Sequence, residues 1–342
     1  MQFKTWGLGI IVALLTELTP AIAAQPASPL FAPLDQATTS QLPAGYADLL
    51  TKAQQLMDQQ DYPSALAIYE TAIAQAAQQE PAWTGKGDAL YFLQRYEEAI
   101  AAYGQAIALN PDALKAWVGL GNALSQTSQI QAALNAYEKA IEIDPSHAAP
   151  YYHRGLQSMR LNQDEAALAD FGRVTQRSPN WHHGWVKLGQ MRERLGLYPE
   201  ALLAFDRAIQ LEASAVDAWI GQADVLARLE RYQSALEVYE HVVELAPDYA
   251  DGWFRLGNML MHLEDYGTAL AAYDQAIALA PAEQASWYNR GLALQVLKRY
   301  PEALAAFEQV LALNPNHERA AHKHRELQEI VRQLRSPQLA QR

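Results

Sequence analysis

The feature that most narrows what this chain can fold into is a tryptophan that returns at one constant interval. The step from Trp83 to Trp117 sets the interval, Trp185, Trp219, Trp253 and Trp287 fall on its multiples, and Tyr151 fills the one gap. A fixed period of this size, about 34 residues, means stacked copies of one supersecondary unit, each stable only against its neighbours. In the frame set by these aromatics, eight units run 46–79, 80–113, 114–147, 148–181, 182–215, 216–249, 250–283 and 284–317. The twentieth residue of every unit is alanine, from Ala65 and Ala99 to Ala269 and Ala303. Four residues later every unit has an aromatic: Tyr69, Tyr103, Tyr137, Phe171, Phe205, Tyr239, Tyr273 and Phe307. Within a unit, apolar residues recur at i, i+3, i+4 and i+7 in two stretches, as with Ala235, Val238, Tyr239 and Val242, which predicts two amphipathic helices.

Glycine holds the eighth position in six units (Gly87, Gly121, Gly155, Gly189, Gly257, Gly291), and proline closes six (Pro111, Pro145, Pro179, Pro247, Pro281, Pro315). This set resembles the tetratricopeptide repeat, whose pattern is W-x2-L-G-x2-Y, then A-x3-F, then P. The resemblance covers residues 46–317 and implies an all-α, right-handed solenoid (superhelix) of stacked antiparallel helix pairs. The small residues let helix backbones approach, the aromatics wedge beside them, and the proline stops the second helix. Tyr62, Tyr96, Tyr198, Tyr232, Tyr266 and Tyr300 fall where the second helix begins and are expected to seal the turn between helices.

Departures from the pattern carry expectations of their own. Leu49 and Ala53 replace the aromatic and glycine of the first unit, as suits a terminal repeat. Ala77 and Ala213 stand where proline closes other units, so more continuous junctions are expected after units one and five. Ala223 replaces glycine in unit six, with Gly221 two residues earlier. Ile130 and Asp164 replace tyrosine, which predicts a local change of packing in units three and four. Residues 318–335, with Ala321, Leu327, Ile330, Val331 and Leu334 apolar, read as a capping helix with a more polar outer face, and 336–342 as a tail.

Residues 1–24 follow another logic. Lys4 precedes an apolar run from Trp6 to Leu15, then Pro20 and the small residues Ala21-Ile22-Ala23-Ala24, the order of a secretory signal peptide. Export to a periplasm or comparable lumen, or secretion, is expected. The alternative is a membrane anchor through residues 6–15, although about 20 apolar residues are needed to span a bilayer. Residues 25–45 carry Pro26, Pro29, Pro33 and Pro43 with no helical or strand period and read as an extended linker.

Composition removes several functions. Lys and Arg number 26 against 38 Asp and Glu, and the net charge of −12 opposes the clustered cations that grip nucleic acid. With no cysteine there is no disulfide framework, thiolate metal site, iron–sulfur cluster or cysteine nucleophile. H-E-x-x-H, G-x-S-x-G and G-x-x-x-x-G-K-[ST] are all missing from the sequence, and no enzyme and no cofactor are expected. The adjacent His182 and His183 point in different directions on a helix, and no metal site is expected of them.

What the resemblance implies is a concave groove lined by positions two, five, nine, twelve and thirteen of each unit. Position five brings Leu50, Val118, Tyr152, Val186, Ile220, Phe254 and Tyr288, a column that either receives a partner's apolar side chains or packs the repeats together. Position nine brings Asn122, Gln190 and Asn258, whose amides suit an extended backbone, interrupted by Asp88, Asp224, Leu156 and Leu292. Position thirteen brings Arg160, Arg194, Arg228 and His262, placed either to meet carboxylates of a partner or simply to oppose the helix dipole. Asp224, four residues before Arg228, is spaced to pair with it. No unit has lysine at position five, so the clamp by which some relatives hold chaperone C-termini is not expected. The function that follows is a non-enzymatic scaffold binding a partner protein or peptide in this groove, in assembly or organisation of an envelope or lumenal complex, with self-association open. The alternative is a carbohydrate-facing scaffold in envelope polysaccharide secretion, using Tyr91, Phe92, Tyr152, Phe254 and Tyr288 as sugar platforms.

Overall fold

In this computed structural model, the structure describes Pro43 and residues 45–335. The signal or anchor over 1–24, most of the linker and the tail at 336–342 lie outside the described residues. The chain divides into two compact units, which part between Gly196 and Leu197. The first holds α1 (Tyr46–Asp58), α2 (Tyr62–Gln75), α3 (Glu80–Phe92), α4 (Tyr96–Leu109), α5 (Leu114–Gln126), α6 (Ile130–Ile143), α7 (Ala148–Arg160), α8 (Asp164–Arg177) and α9 (His182–Arg194). The second holds α10 (Tyr198–Leu211), α11 (Val216–Arg228), α12 (Tyr232–Leu245), α13 (Ala250–His262), α14 (Tyr266–Leu279), α15 (Gln284–Val296), α16 (Tyr300–Leu313) and α17 (Glu318–Arg335). Among the described residues there is no strand, and the architecture is an all-α solenoid of helix pairs. Within each unit every helix packs on the next in sequence. First helices also touch one another, α1 with α3, α3 with α5, α5 with α7, and α13 with α15, forming one layer beside the layer of second helices.

The turn inside each repeat is the same device eight times over. The fifteenth residue adopts a left-handed backbone, at Gln60, Gln94, Ser128, Asn162, Gly196, Glu230, Glu264 and Lys298. In seven of the repeats the next amide reaches back to the carbonyl five residues earlier, as in Asp61 N–H to Leu56 O at 2.9 Å and Arg231 N–H to Leu226 O at 2.9 Å. That is the bonding of a Schellman cap, which uses carbonyls the helix end would leave unpaired. Only Gly196 holds this place without the steric cost that a Cβ brings to φ near 60°.

The periodic aromatics staple the junctions between repeats. The indole Nε1–H of Trp83, Trp117, Trp185, Trp219, Trp253 and Trp287 donates to the carbonyl six residues earlier, at 2.8–3.0 Å. Tyr151 does the same with its hydroxyl, to Pro145 O at 3.2 Å. The acceptor is a backbone oxygen, so proline is not needed, and Ala77 and Ala213 serve as well. Helices α2 and α10 end after 14 residues like α4 and α14, and the junctions after units one and five are no more continuous than the others.

Seven of the eight aromatics at position twenty-four lie in a slot cut by glycine, Tyr239 of the repeat with Ala223 being the exception. A Cβ on Gly87 would meet the Tyr103 ring at 2.6 Å, one on Gly257 the Tyr273 ring at 2.6 Å, and one on Gly291 the Phe307 ring at 2.8 Å. Tyr103 is gripped from the other side by Gly119 of the following repeat, and Phe205 likewise by Gly221. The core is thus a file of rings and alanines, with Tyr103, Tyr137, Phe171, Phe205, Tyr239, Tyr273 and Phe307 at most 2% exposed. The tyrosines that open the second helices serve two kinds of junction: Tyr96 meets Tyr91 of its own repeat at 5.6 Å, across the turn as expected. Tyr62 stacks on Phe92 at 4.8 Å and Tyr232 on His262 at 5.3 Å, each closing the junction to the next repeat rather than the turn within its own.

Candidate partner-binding face

The groove positions fall on the layer of first helices, and the structure separates the residues spent on packing from those left for a partner. At position five, Val118, Tyr152, Val186, Ile220 and Phe254 are all less than a tenth exposed. Tyr152 packs against Trp181 at 4.7 Å and Phe171 at 5.9 Å, and Phe254 against Tyr273 at 6.2 Å. These side chains fill space between helices. Tyr288 alone of the position-five candidates stays half-buried, stacked on His317 at 5.4 Å.

Position nine is explained by position twenty-four. Tyr137 O–H donates to Asn122 Oδ1 at 2.9 Å, Tyr273 O–H to Asn258 Oδ1 at 2.8 Å, and Tyr103 O–H to Asp88 Oδ1 at 2.7 Å; Tyr239 and Asp224 form the same bond. Leu156 and Leu292 occur in two of the three repeats whose wedge is phenylalanine, those of Phe171 and Phe307. The polar residue is there because a buried hydroxyl needs an acceptor, and in these two repeats hydroxyl and acceptor are missing together. Gln190, opposite Phe205 in sequence, accepts from Lys187 Nζ at 3.0 Å. The interrupted amide ladder is therefore an internal pairing. Its signal lay in the sequence as a match between positions nine and twenty-four of the same repeat.

Position thirteen is not a uniform line of cations. Arg194 donates to Asp164 Oδ2 at 3.0 Å and Asn162 Oδ1 at 2.7 Å, so the aspartate that replaces tyrosine in unit four is answered one repeat later. His262 lies flat on Tyr232, and burial holds its imidazole below the usual value, which keeps it neutral at pH 7. Arg160 is exposed, with Nη1 donating to Gln157 Oε1 at 3.2 Å and Ser125 Oγ at 3.4 Å, and Arg228 is exposed as well.

Two carboxylates at position nine differ in their surroundings. Asp224 accepts from Arg255 Nη1 at 2.7 and 2.8 Å, and Arg255 also holds Asp251 at 2.6 Å. Asp88 has Gly119 at the place corresponding to Arg255. Burial pushes Asp88 up to about 7, against the Tyr103 hydroxyl bond and the charge of Lys115. In the same unit, His153 stacks on Tyr137 with its Nε2 buried and unpartnered, and burial drives it down to about 4. Arg154 is bidentate to the nearly inaccessible Asp170, at 2.9 and 2.7 Å.

A cleft lined by charged and aromatic side chains lies at the C-terminal end. This open cleft of about 350 Å³ is lined by Tyr288, Glu318, Arg319, His322 and Lys323. Lys323 Nζ lies 3.0 Å from Glu326, and burial pushes the Tyr288 hydroxyl up while the charge of Arg319 opposes it. Sequence reasoning left Arg319, His322 and Lys323 out of the groove because it treated α17 as a cap. Counted in the frame of the repeats they are positions two, five and six of a ninth first helix, which is the signal that points to them. Among the described residues no group of three or more His, Asp or Glu is arranged to hold a metal, and no helix is long and apolar enough to cross a membrane.

The chain is similar to proteins of known family. A profile described as tetratricopeptide repeat matches residues 50–98, 84–148, 152–218, 186–250 and 220–283, and a second of the same description matches 285–317. A crystal structure of the APC/C hetero-tetramer Cut9-Hcn1 superposes with a TM-score of 0.56 at 16% identity, over 82% of this chain and 55% of that one. The chain thus spans about half the length of the solved chain it matches, and the likeness is one of fold. A crystal structure of MamA protein gives a TM-score of 0.45 at 20% identity, over 50% of this chain and 94% of that one. No curated protein matches the chain in sequence.

Proposed function

The chain belongs to the tetratricopeptide repeat family, and from that premise we propose a non-catalytic scaffold that binds a partner protein on its layer of first helices, seating an acidic segment of the partner in the cleft of Arg319, His322 and Lys323. The cleft carries this reading. Most position-five and position-nine side chains are used internally, whereas the cleft brings Arg319 and Lys323, the latter ion-paired with Glu326, beside Glu318 and a half-buried tyrosine in a chain of net charge −12. A guanidinium and an ammonium together suit carboxylates, the first by a planar fork and the second as a point charge. The apolar, then small-residue order of positions 1–24 supports export, and with it a role in an envelope or lumenal complex.

Crosslinking and affinity recovery from the protein's own cells tests this, run beside a variant carrying Arg319→Glu and Lys323→Glu. A protein recovered with the native chain and lost with the variant is the expected result; equal recovery of the same protein from both overturns the cleft. Mature N-termini read from these samples test export, which a start at Met1 would overturn. A glycan array on the same preparation decides against the polysaccharide-facing alternative if it is blank, and in its favour if a glycan binds where no protein is recovered.

A further inference from the structure

A second surface, in the residue 45–196 unit, is aromatic rather than charged. Tyr62 and Phe92 stack face to face at 4.8 Å with 9° between their planes, Tyr91 meets Phe92 edge-on at 5.7 Å, and Tyr91 meets Tyr96 at 5.6 Å. Four rings thus form one ridge across repeats one and two. At two corresponding junctions the contact between positions seventeen and thirteen has polar character, an ion pair of Asp164 with Arg194 and a stack of Tyr232 on His262. Repeat two is the one unit with aromatics at both positions twelve and thirteen, and Phe92 is 39% exposed despite its neighbours. A run of ring faces at the surface is a site for extended, proline-bearing chain, whose polyproline II form costs little entropy to dock and presents flat rings to flat rings.

We propose that the chain's own residues 25–42 dock on this ridge, with Leu30 and Phe31 against Phe92, Tyr91 and Tyr62. The segment has the matching chemistry: Pro26, Pro29 and Pro33 frame Leu30-Phe31, and Asp35 is its one charged residue. Its attachment point lies one helix length from the ridge, which sits at the turn end of the repeats. It joins the repeats at Pro43, whose carbonyl accepts from Tyr46 N–H at 3.1 Å at the start of α1. The stretch from Phe31 to Pro43 in polyproline form reaches about 37 Å at about 3.1 Å per residue, whereas the first helix, which separates Pro43 from the turn end, spans about 20 Å at about 1.5 Å per residue. A tether of this length supplies an effective concentration near the millimolar range, so even a weak contact is populated. Tyr91 stands at a groove position, so a partner reaching repeats one and two must displace the segment.

The test needs no partner. Phe31 is replaced by the photocrosslinker benzoylphenylalanine in the full chain, which is irradiated and mapped by mass spectrometry. The expected product is a crosslink within one molecule to peptides holding Tyr62, Tyr91 or Phe92. A crosslink to any other region, a crosslinked dimer, or no crosslink overturns the proposal. A second measurement leaves the repeats untouched: nitration of Tyr62 and Tyr91 by tetranitromethane in the full chain and in Leu30→Glu/Phe31→Glu. Removing the cover should raise the nitration rate of both about three-fold or more, as expected for a segment docked most of the time. Equal rates overturn it.

Discussion

Asp88 and Asp224 occupy the same place in their repeats and take the same bond from a tyrosine wedge, yet the molecule treats them in opposite ways. Asp224 is answered from the next first helix by Arg255, which also holds Asp251 and whose own pKa is raised by the two carboxylates, more than offsetting its burial. Asp88 faces Gly119, which is there because the Tyr103 ring fills the space a Cβ would need. The same repeat pattern therefore leaves one carboxylate ion-paired and the other pushed up to about 7. A solenoid tolerates either choice because each junction is settled locally, by what its two helices bring.

The comparison can be broken most severely by moving the arginine. Gly119→Arg should cost about 3 kcal/mol, since overpacking a fitted core forces rings off their rotamers; an unchanged urea midpoint would mean that the Tyr103 slot has room. Arg255→Met should cost roughly 2 kcal/mol, below the range for fully buried pairs because both partners keep some solvent contact, and high salt should shrink the difference. Phe171→Tyr should cost about 1–2 kcal/mol by burying a hydroxyl beside Leu156, and adding Leu156→Asn should restore most of it. A double-mutant cycle that shows no coupling would refute the pairing of positions nine and twenty-four.

A further expected effect depends on pH. The native value of Asp88 lies above the unfolded value of about 4, so the folded state binds the extra proton between them. Stability is then lost as pH rises from about 4 through about 7, the reverse of an ordinary paired carboxylate. Asp88→Asn keeps the acceptor for Tyr103, as Asn122 does for Tyr137, and removes the charge. It should leave stability at pH 4 unchanged and raise it at pH 8. A variant with an undiminished pH slope would move the titration to another group.

Much of this was legible beforehand, and the parts that were not share a cause. The frame set by Trp83 and its successors placed every first helix, and the wedges, alanines and glycines of the core followed from it. The turns were not foreseen, because a left-handed cap ordinarily announces itself by glycine and here only Gly196 does. The cleft was hidden by the assumption that a last helix serves only as a lid. The position-five column was open to two uses on paper; in the folded chain, burial commits all of its members but Tyr288 to packing.

What the sequence by itself determined is the periodic skeleton: helices, their lengths, their stripes and the file of rings. These rest on local spacing, and local spacing is enough to specify a helix and its buried face. Only the tertiary structure decided where each polar group is spent. Tyr103 and Asp88 are 15 apart in sequence, Arg154 and Asp170 are 16 apart, and Arg255 and Asp224 are 31 apart. Whether such groups meet depends on how closely two helices approach, and that distance is set by the ring or the missing Cβ between them.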